Sequence, residues 1–106
     1  MRAMPYHALD KRSNIQEGYR RSFEIDGESL LLLMHQGQLY LLENICPHAG
    51  YFMADGKIIG SNLRCGMHGY LFNLTTGACT YYTEGPCRGL KTYQVIYNQD
   101  EVGVEL

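Results

Sequence analysis

The sequence predicts an all-β protein, and three observations carry that reading. Short apolar segments alternate with turn dipeptides about every eight to twelve residues, the rhythm of consecutive antiparallel strands. Glycine is frequent and proline sparse, with 12 and 3 among 106 residues. No window shows the 3.6-residue apolar period of a helix of ten or more residues. The length suits one compact domain, and a hydrophobic fraction of 45% is ordinary for a chain with a packed core.

Taken in order, Tyr19 to Ile25 reads as a strand ended by Asp26-Gly27, a strong two-residue hairpin signal. Glu28 to His35 follows, then a Gln36-Gly37 turn and a strand from Gln38 to Glu43. Leu30 to Met34 is apolar without alternation, as expected of a strand covered on both faces. Lys57 to Ile59 and Leu63 to Cys65 flank Gly60-Ser61-Asn62, a further hairpin candidate. Tyr70 to Asn73 leads through Thr75-Thr76-Gly77 into Cys79 to Tyr82, and residues 84–89 read as loop. Lys91 to Tyr97 and Glu101 to Leu106 close the chain across Asn98-Gln99-Asp100. Tyr93/Val95/Tyr97 and Val102/Val104/Leu106 each mark one face by period-two alternation. The stretch Leu9 to Gly18 has room for one turn of helix. Beyond the two loops described below there is no repeat, linker or low-complexity segment.

Charge and hydropathy exclude several classes. A net charge of −2, from 11 acidic and 9 basic residues, argues against a nucleic-acid partner, which needs a basic face to displace counterions. The basic residues near the start (Arg2, Lys11, Arg12, Arg20, Arg21) are interrupted by acids and polar groups and read as a solvated face. Leu30 to Met34, the longest apolar run, is too short to span a bilayer. No apolar h-region with a small-residue cleavage site follows Arg2, unlike a secretory leader. The expectation is a cytoplasmic protein without a membrane partner, in which four cysteines point to metal or redox chemistry before structural disulfides.

The chemistry concentrates in two stretches, CPHAGY (Cys46 to Tyr51) and CGMHGY (Cys65 to Tyr70). The pattern is Cys46-x-His48, sixteen residues, then Cys65-x-x-His68. Three readings compete. The residues are unrelated buried thiols and hydrogen-bonded imidazoles, or one structural zinc takes all four, although a single residue between Cys46 and His48 is short for a zinc loop. In the third reading a binuclear iron–sulfur cluster has different ligands on its two irons, and each loop delivers sulfur to one and nitrogen to the other. That last reading accounts for both the mixed ligands within a loop and the near-repetition between loops.

This four-ligand spacing resembles the Rieske family of [2Fe–2S] proteins. The resemblance extends to HGYLFNLTTGAC (His68 to Cys79), to Leu90-Lys91-Thr92-Tyr93-Gln94-Val95, to Glu17-Gly18 and to the hairpins before Cys46. It implies a single Rieske domain over residues 1–106. Its base is an antiparallel β-sandwich from 1–43 and 83–106, with a cluster-binding subdomain inserted at about 44–82. It also implies that Cys46 and Cys65 ligate one iron and His48 and His68 the other, with a proline-containing third loop at Gly85-Pro86 over the cluster. Two ferric ions, two sulfides, two thiolates and two neutral imidazoles sum to zero charge, so reduction is easier than in an all-thiolate cluster. The Rieske range is roughly −150 to +300 mV. High-potential relatives add a disulfide between the ligand loops and hydroxyls directed at the cluster. Here Tyr70 and Phe72 occupy the hydroxyl positions, which implies a potential near the low end.

The resemblance implies an electron carrier, a ferredoxin passing electrons from a flavoprotein reductase to a terminal oxygenase. An alternative is the electron-transfer small subunit of a larger oxidoreductase such as NAD(P)H nitrite reductase. A zinc-stabilised adaptor is the third option. An enzyme is not expected, since only His7 and His35 remain for the two-His-one-carboxylate iron of an oxygenase. Cys79 and Cys87 are expected to be small core-compatible thiols, and Met67, Phe52 and Met53 to shield the cluster tip or offer a soft docking surface.

Overall fold

A computed structural model describes residues 4–47, 50–66 and 69–106. Eleven strands are formed among them: β1 (Tyr6–Lys11), β2 (Arg20–Ile25), β3 (Glu28–His35), β4 (Gln38–Glu43), β5 (Lys57–Ile59), β6 (Asn62–Arg64), β7 (Leu71–Asn73), β8 (Cys79–Tyr81), β9 (Thr92–Tyr93), β10 (Ile96–Asn98) and β11 (Glu101–Glu105). Short 3-10 turns occupy Arg12–Asn14 and Met53–Asp55. None of the described helices is long and apolar enough to cross a membrane.

The strands make three antiparallel sheets, in the orders β1-β11-β10, β2-β3-β4-β9 and β5-β6-β7-β8. The second sheet is the central layer, and the leucine run in β3 shows why. Leu30 and Leu32 pack with Leu9, Val102 and Val104 on one side, while Leu31 and Leu33 pack with Leu63, Phe72 and Cys46 on the other. All four leucines are at most 1% exposed. A strand buried on both faces has no polar side to alternate with, which is the pattern its sequence shows. Each such side chain contributes about 1.5–3 kcal/mol by leaving water. Leu41 and Leu42 in β4 divide between the same two cores.

The hairpins before Cys46 form as the sequence predicts. Asp26-Gly27 and Gln36-Gly37 turn with positive φ at both residues, the geometry whose twist matches paired strands. Glu17 secures the second turn, accepting hydrogen bonds from the Gln36 and Gly37 N–H groups at 2.7 and 2.9 Å.

Several boundaries differ from the sequence reading. Asn62 belongs to β6 and pairs with Ile59, leaving a two-residue turn. The segment Lys91 to Tyr97 is two strands: Thr92–Tyr93 pairs with β4 and Ile96–Asn98 with β11. Alternation reports which face a residue takes, not which sheet its backbone joins, so the crossing at Gln94-Val95 left no trace in the pattern. Strand β1 was absent from the sequence reading altogether. Its partner is β11, with Tyr6 opposite Glu105, so its pairing is invisible to any local window. Within Leu9 to Gly18 the anticipated helical turn is the one at Arg12–Asn14.

Candidate metal centre

The described ends of the two cysteine stretches match. Residues 46–51 are bracketed by the antiparallel pair Ile45 and Phe52, and residues 65–70 by Arg64 and Leu71. In the first, the Cys46 N–H donates to the Tyr51 carbonyl at 2.8 Å; in the second, the Cys65 N–H donates to the Tyr70 carbonyl at 2.8 Å. The fourth residue after each cysteine is a glycine in the left-handed region, Gly50 at φ 76° and Gly69 at φ 70°. L-residues enter that region at a cost, so the repeated Gly-Tyr reflects a backbone requirement of the loop.

Both thiols are brought to one place. Cys46 and Cys65 are 1% and 0% exposed and share a core with Met53, Leu63, Tyr70, Phe72 and Leu90. Two buried thiols at equivalent places in two like-ended stretches suit a sulfur-ligated metal centre. His48 and His68, the other two residues of the sequence-predicted ligand set, lie outside the described residues, as does Met67.

The surroundings hold these loops from three directions. Asn44, fully buried, donates from its amide to Ser22 Oγ and Ser29 Oγ at 3.2 and 3.0 Å and accepts from the Ala54 N–H at 3.0 Å. It ties the start of the first loop to β2 and β3. Arg20 reaches across from β2 to the carbonyls of Ala54 and Gly56. On the far side the third loop, residues 83–89, is pinned at both ends. Tyr70 donates its hydroxyl proton to the Gly85 carbonyl at 2.5 Å and accepts from the Glu84 N–H at 3.2 Å. Arg88 makes a two-pronged pair with Glu43 at 2.8 Å on each oxygen. The Arg88 hydrogen bond is the main reason the Glu43 carboxyl lies below its ordinary range. Burial raises the Tyr70 hydroxyl above the usual tyrosine value.

Beyond the third loop, Gly77 sits against Leu90. Its carbonyl accepts from the Leu90 N–H at 2.8 Å, and a Cβ there would meet the Leu90 oxygen at 2.0 Å. The Thr-Gly pair of the sequence motif is thus a close backbone packing point.

Other candidates resolve differently. Met53 is fully buried in the core, while its neighbour Phe52 is 53% exposed. Of the two, Phe52 reaches solvent, while Met53 packs in the core that holds Cys46 and Cys65. His7 lies on β1 with Nε2 3.7 Å from Asp26 Oδ2, and His35 ends β3, so both belong to the sheets outside β5 to β8. Cys79 and Cys87 pack against the core that holds Cys46 and Cys65. Burial, then the neighbouring Cys79, pushes the Cys87 thiol up to about 11. Asn44, Arg88 and Glu43 carry no local sequence signal as supports, because each acts through partners distant in the chain.

An antiparallel β protein that buries a thiol from each of two like-ended cysteine stretches in one core fits, as a class, an iron–sulfur or zinc protein. The wider comparison settles which. The family model for the Rieske [2Fe-2S] domain matches residues 6–94, and the chain belongs to that family, whose cofactor is a [2Fe–2S] cluster. It is 30% identical over 96 residues to the ferredoxin component of the naphthalene 1,2-dioxygenase system of Pseudomonas putida, covering 89% of this chain and 88% of that one. The fold is similar to the ferredoxin of Sphingomonas yanoikuyae B1, with a TM-score of 0.82 at 23% identity over 96% of this chain and 99% of the other. It is also similar to a chain in the complex of reduced oxygenase and oxidized ferredoxin of carbazole 1,9a-dioxygenase. There the TM-score is 0.81 at 25% identity, over 94% of this chain and 92% of that chain.

Proposed function

We propose that this protein is a one-electron carrier, a cytoplasmic Rieske-type ferredoxin that passes electrons from a flavoprotein reductase to a terminal oxygenase. Cys46 and Cys65 supply thiolates to one iron, and His48 and His68 supply imidazoles to the other. The base comprises 1–43 and 83–106, and the cluster-binding subdomain about 44–82. When bound, the cluster supplies a one-electron couple. The chain's part is to hold and screen it. The matched Cys-to-Tyr hydrogen bonds fix the two sulfurs, Leu63, Phe72 and Leu90 exclude water behind them, and the loop pinned by Tyr70 closes one side. Tyr51 and Phe52, 45% and 53% exposed beside the first loop, offer apolar area to a redox partner.

The observation that carries this reading is the equivalence of the loops: the same bracketing pair, hydrogen bond and left-handed glycine present two buried thiols to one patch. Relatives named as ferredoxin components, matched over most of both chains, favour a free carrier over a reductase subunit. The protein on this reading performs no substrate chemistry itself.

The test is anaerobic purification with iron, sulfide and zinc analysis, visible spectroscopy and EPR after reduction. Equal iron and sulfide with a rhombic reduced signal is expected. A colourless protein with stoichiometric zinc overturns the assignment and favours the adaptor. Mixing with a reductase and an oxygenase then tests the carrier role, where reduction without onward transfer favours the subunit alternative.

A further inference from the structure

The two cysteine stretches end alike, yet their necks are secured differently. Below residues 65–70 the antiparallel pairing runs on for three rungs, Arg64 with Leu71, Leu63 with Phe72 and Asn62 with Asn73. Below residues 46–51 it is, among the described residues, the single bridge of Ile45 with Phe52. The chain then turns away into the 3-10 turn at Met53–Asp55. A neck with one rung is weakly held, since each further ladder hydrogen bond adds its own increment. Asn44 stands where the next rung would be. Its carbonyl accepts from the Met53 N–H at 2.5 Å, and its own N–H donates to the Ser29 carbonyl at 2.9 Å. Its side-chain oxygen accepts from the Ala54 N–H at 3.0 Å. Both amide protons are used as well, toward Ser22 Oγ at 3.2 Å and Ser29 Oγ at 3.0 Å. The residue is 0% exposed, so water cannot take over these bonds and breaking them is costly. Glu43, one residue earlier, grips the third loop instead, through Arg88 and the Lys91 N–H.

We propose that Asn44 is a positioning residue of the electron carrier: its buried amide stands in for the missing ladder rungs and latches the first cysteine stretch shut, so that Cys46 keeps its place. With the latch cut, the first neck opens while the second, held by β6 and β7, stays closed. Cys46 then moves with its neck, whereas Cys65 does not. The second stretch has a backbone ladder and the first has a side chain in its stead, so local opening, and with it loss of bound iron, starts from the first. Outer-shell residues that orient a ligand act in this way on how firmly a metal centre is held. The latch stands whatever metal the cysteines hold; only its effect on the cluster rests on the Rieske reading.

The test compares full-length wild type and Asn44→Ala, both purified anaerobically, by hydrogen exchange read on proteolytic fragments, by iron release to a chelator and by EPR after reduction. In the variant, exchange in a fragment spanning 44–56 is expected to quicken about ten- to a hundredfold, while a fragment spanning 62–74 keeps its wild-type rate. Iron release is expected to quicken with the first fragment, and the reduced EPR lines to broaden as Cys46 loses its fixed place. Ser22→Ala combined with Ser29→Ala takes both acceptors from the Asn44 amide and is expected to move the same readouts several-fold in the same direction. Equal quickening of both fragments overturns the proposal, because it marks a loss of general stability instead of a local opening. Local opening with an unchanged iron-release rate and EPR line shape overturns the positioning role. Should Asn44→Ala fail to fold, the wild-type protein decides. Its Met53 and Ala54 amides are expected to exchange more than about a hundredfold slower than in the unfolded chain, and faster exchange there overturns the latch. Wild-type protein without iron fails the Rieske reading instead and leaves the exchange result to decide the latch.

Discussion

Residues 46–51 and 65–70 have the same length, the same bracketing strand pair, the same Cys-to-Tyr hydrogen bond and a left-handed glycine at the same place. Yet Tyr51 is 45% exposed and Tyr70 is fully buried. The shared features determine where the sulfur goes. What surrounds each loop determines what its last side chain does. The first loop joins the central sheet to the inserted one and leaves its tyrosine facing outward. The second lies inside the β6–β7 hairpin, beneath the third loop, and its tyrosine becomes that loop's anchor.

The largest expected effect treats the loops as equals. Cys46→Ser and Cys65→Ser should each abolish the visible absorption of the anaerobically purified protein, whereas retention of the full spectrum by either breaks the equivalence. The next separates them. Tyr70→Ala empties a buried aromatic site and should cost about 3–5 kcal/mol in denaturant unfolding. Tyr51→Ala, at the surface, should stay within about 0.5 kcal/mol. Replacing only the hydroxyl sharpens the point: Tyr70→Phe removes the hydrogen bonds to the Gly85 carbonyl and from the Glu84 N–H and should cost about 0.5–1.5 kcal/mol. Tyr51→Phe should be neutral by the same measurement.

A smaller effect than that of Tyr70→Ala restores the symmetry. Gly50→Ala and Gly69→Ala meet open space or ordinary contact distance, so each should lose only about 1–2 kcal/mol for a left-handed alanine. A much larger loss at one of them would show that the loops differ in backbone as well as in surroundings. The smallest concerns pH. The Arg88 hydrogen bond lowers the folded-state pKa of Glu43 below its unfolded value. That stability is fully present above the unfolded pKa of about 4.3 and is lost as pH falls through the folded value. Glu43→Gln should therefore flatten the acid limb of a stability–pH curve.

What could be read from the chain divides along the same line. The leucine run of β3, the Asp26-Gly27 and Gln36-Gly37 turns and the repeated Cys…Gly-Tyr are local signals, and each led to the right element or loop. Strand β1 was missed because its partner β11 is at the other end of the chain. The split between β9 and β10 was missed because both halves keep one alternation. Tyr70 was legible only as a missing serine, a hydroxyl not offered to the cluster. Its positive role, donating its proton to Gly85 across 15 positions of sequence, depends on a loop whose path no local pattern encodes. The same holds for Arg88 and Glu43, 45 positions apart.

Tyr70 also bears on the energetics of the site. A hydroxyl has one proton, and here it is given to a carbonyl, so it is not spent on stabilising a reduced, more negative centre. Phe72 has no hydroxyl to give. The account is tested most directly by a redox titration of the anaerobically purified protein, followed by the EPR signal of the reduced state. It predicts a single one-electron transition near the low end of the Rieske range, at about −150 mV. A midpoint well above zero would contradict it.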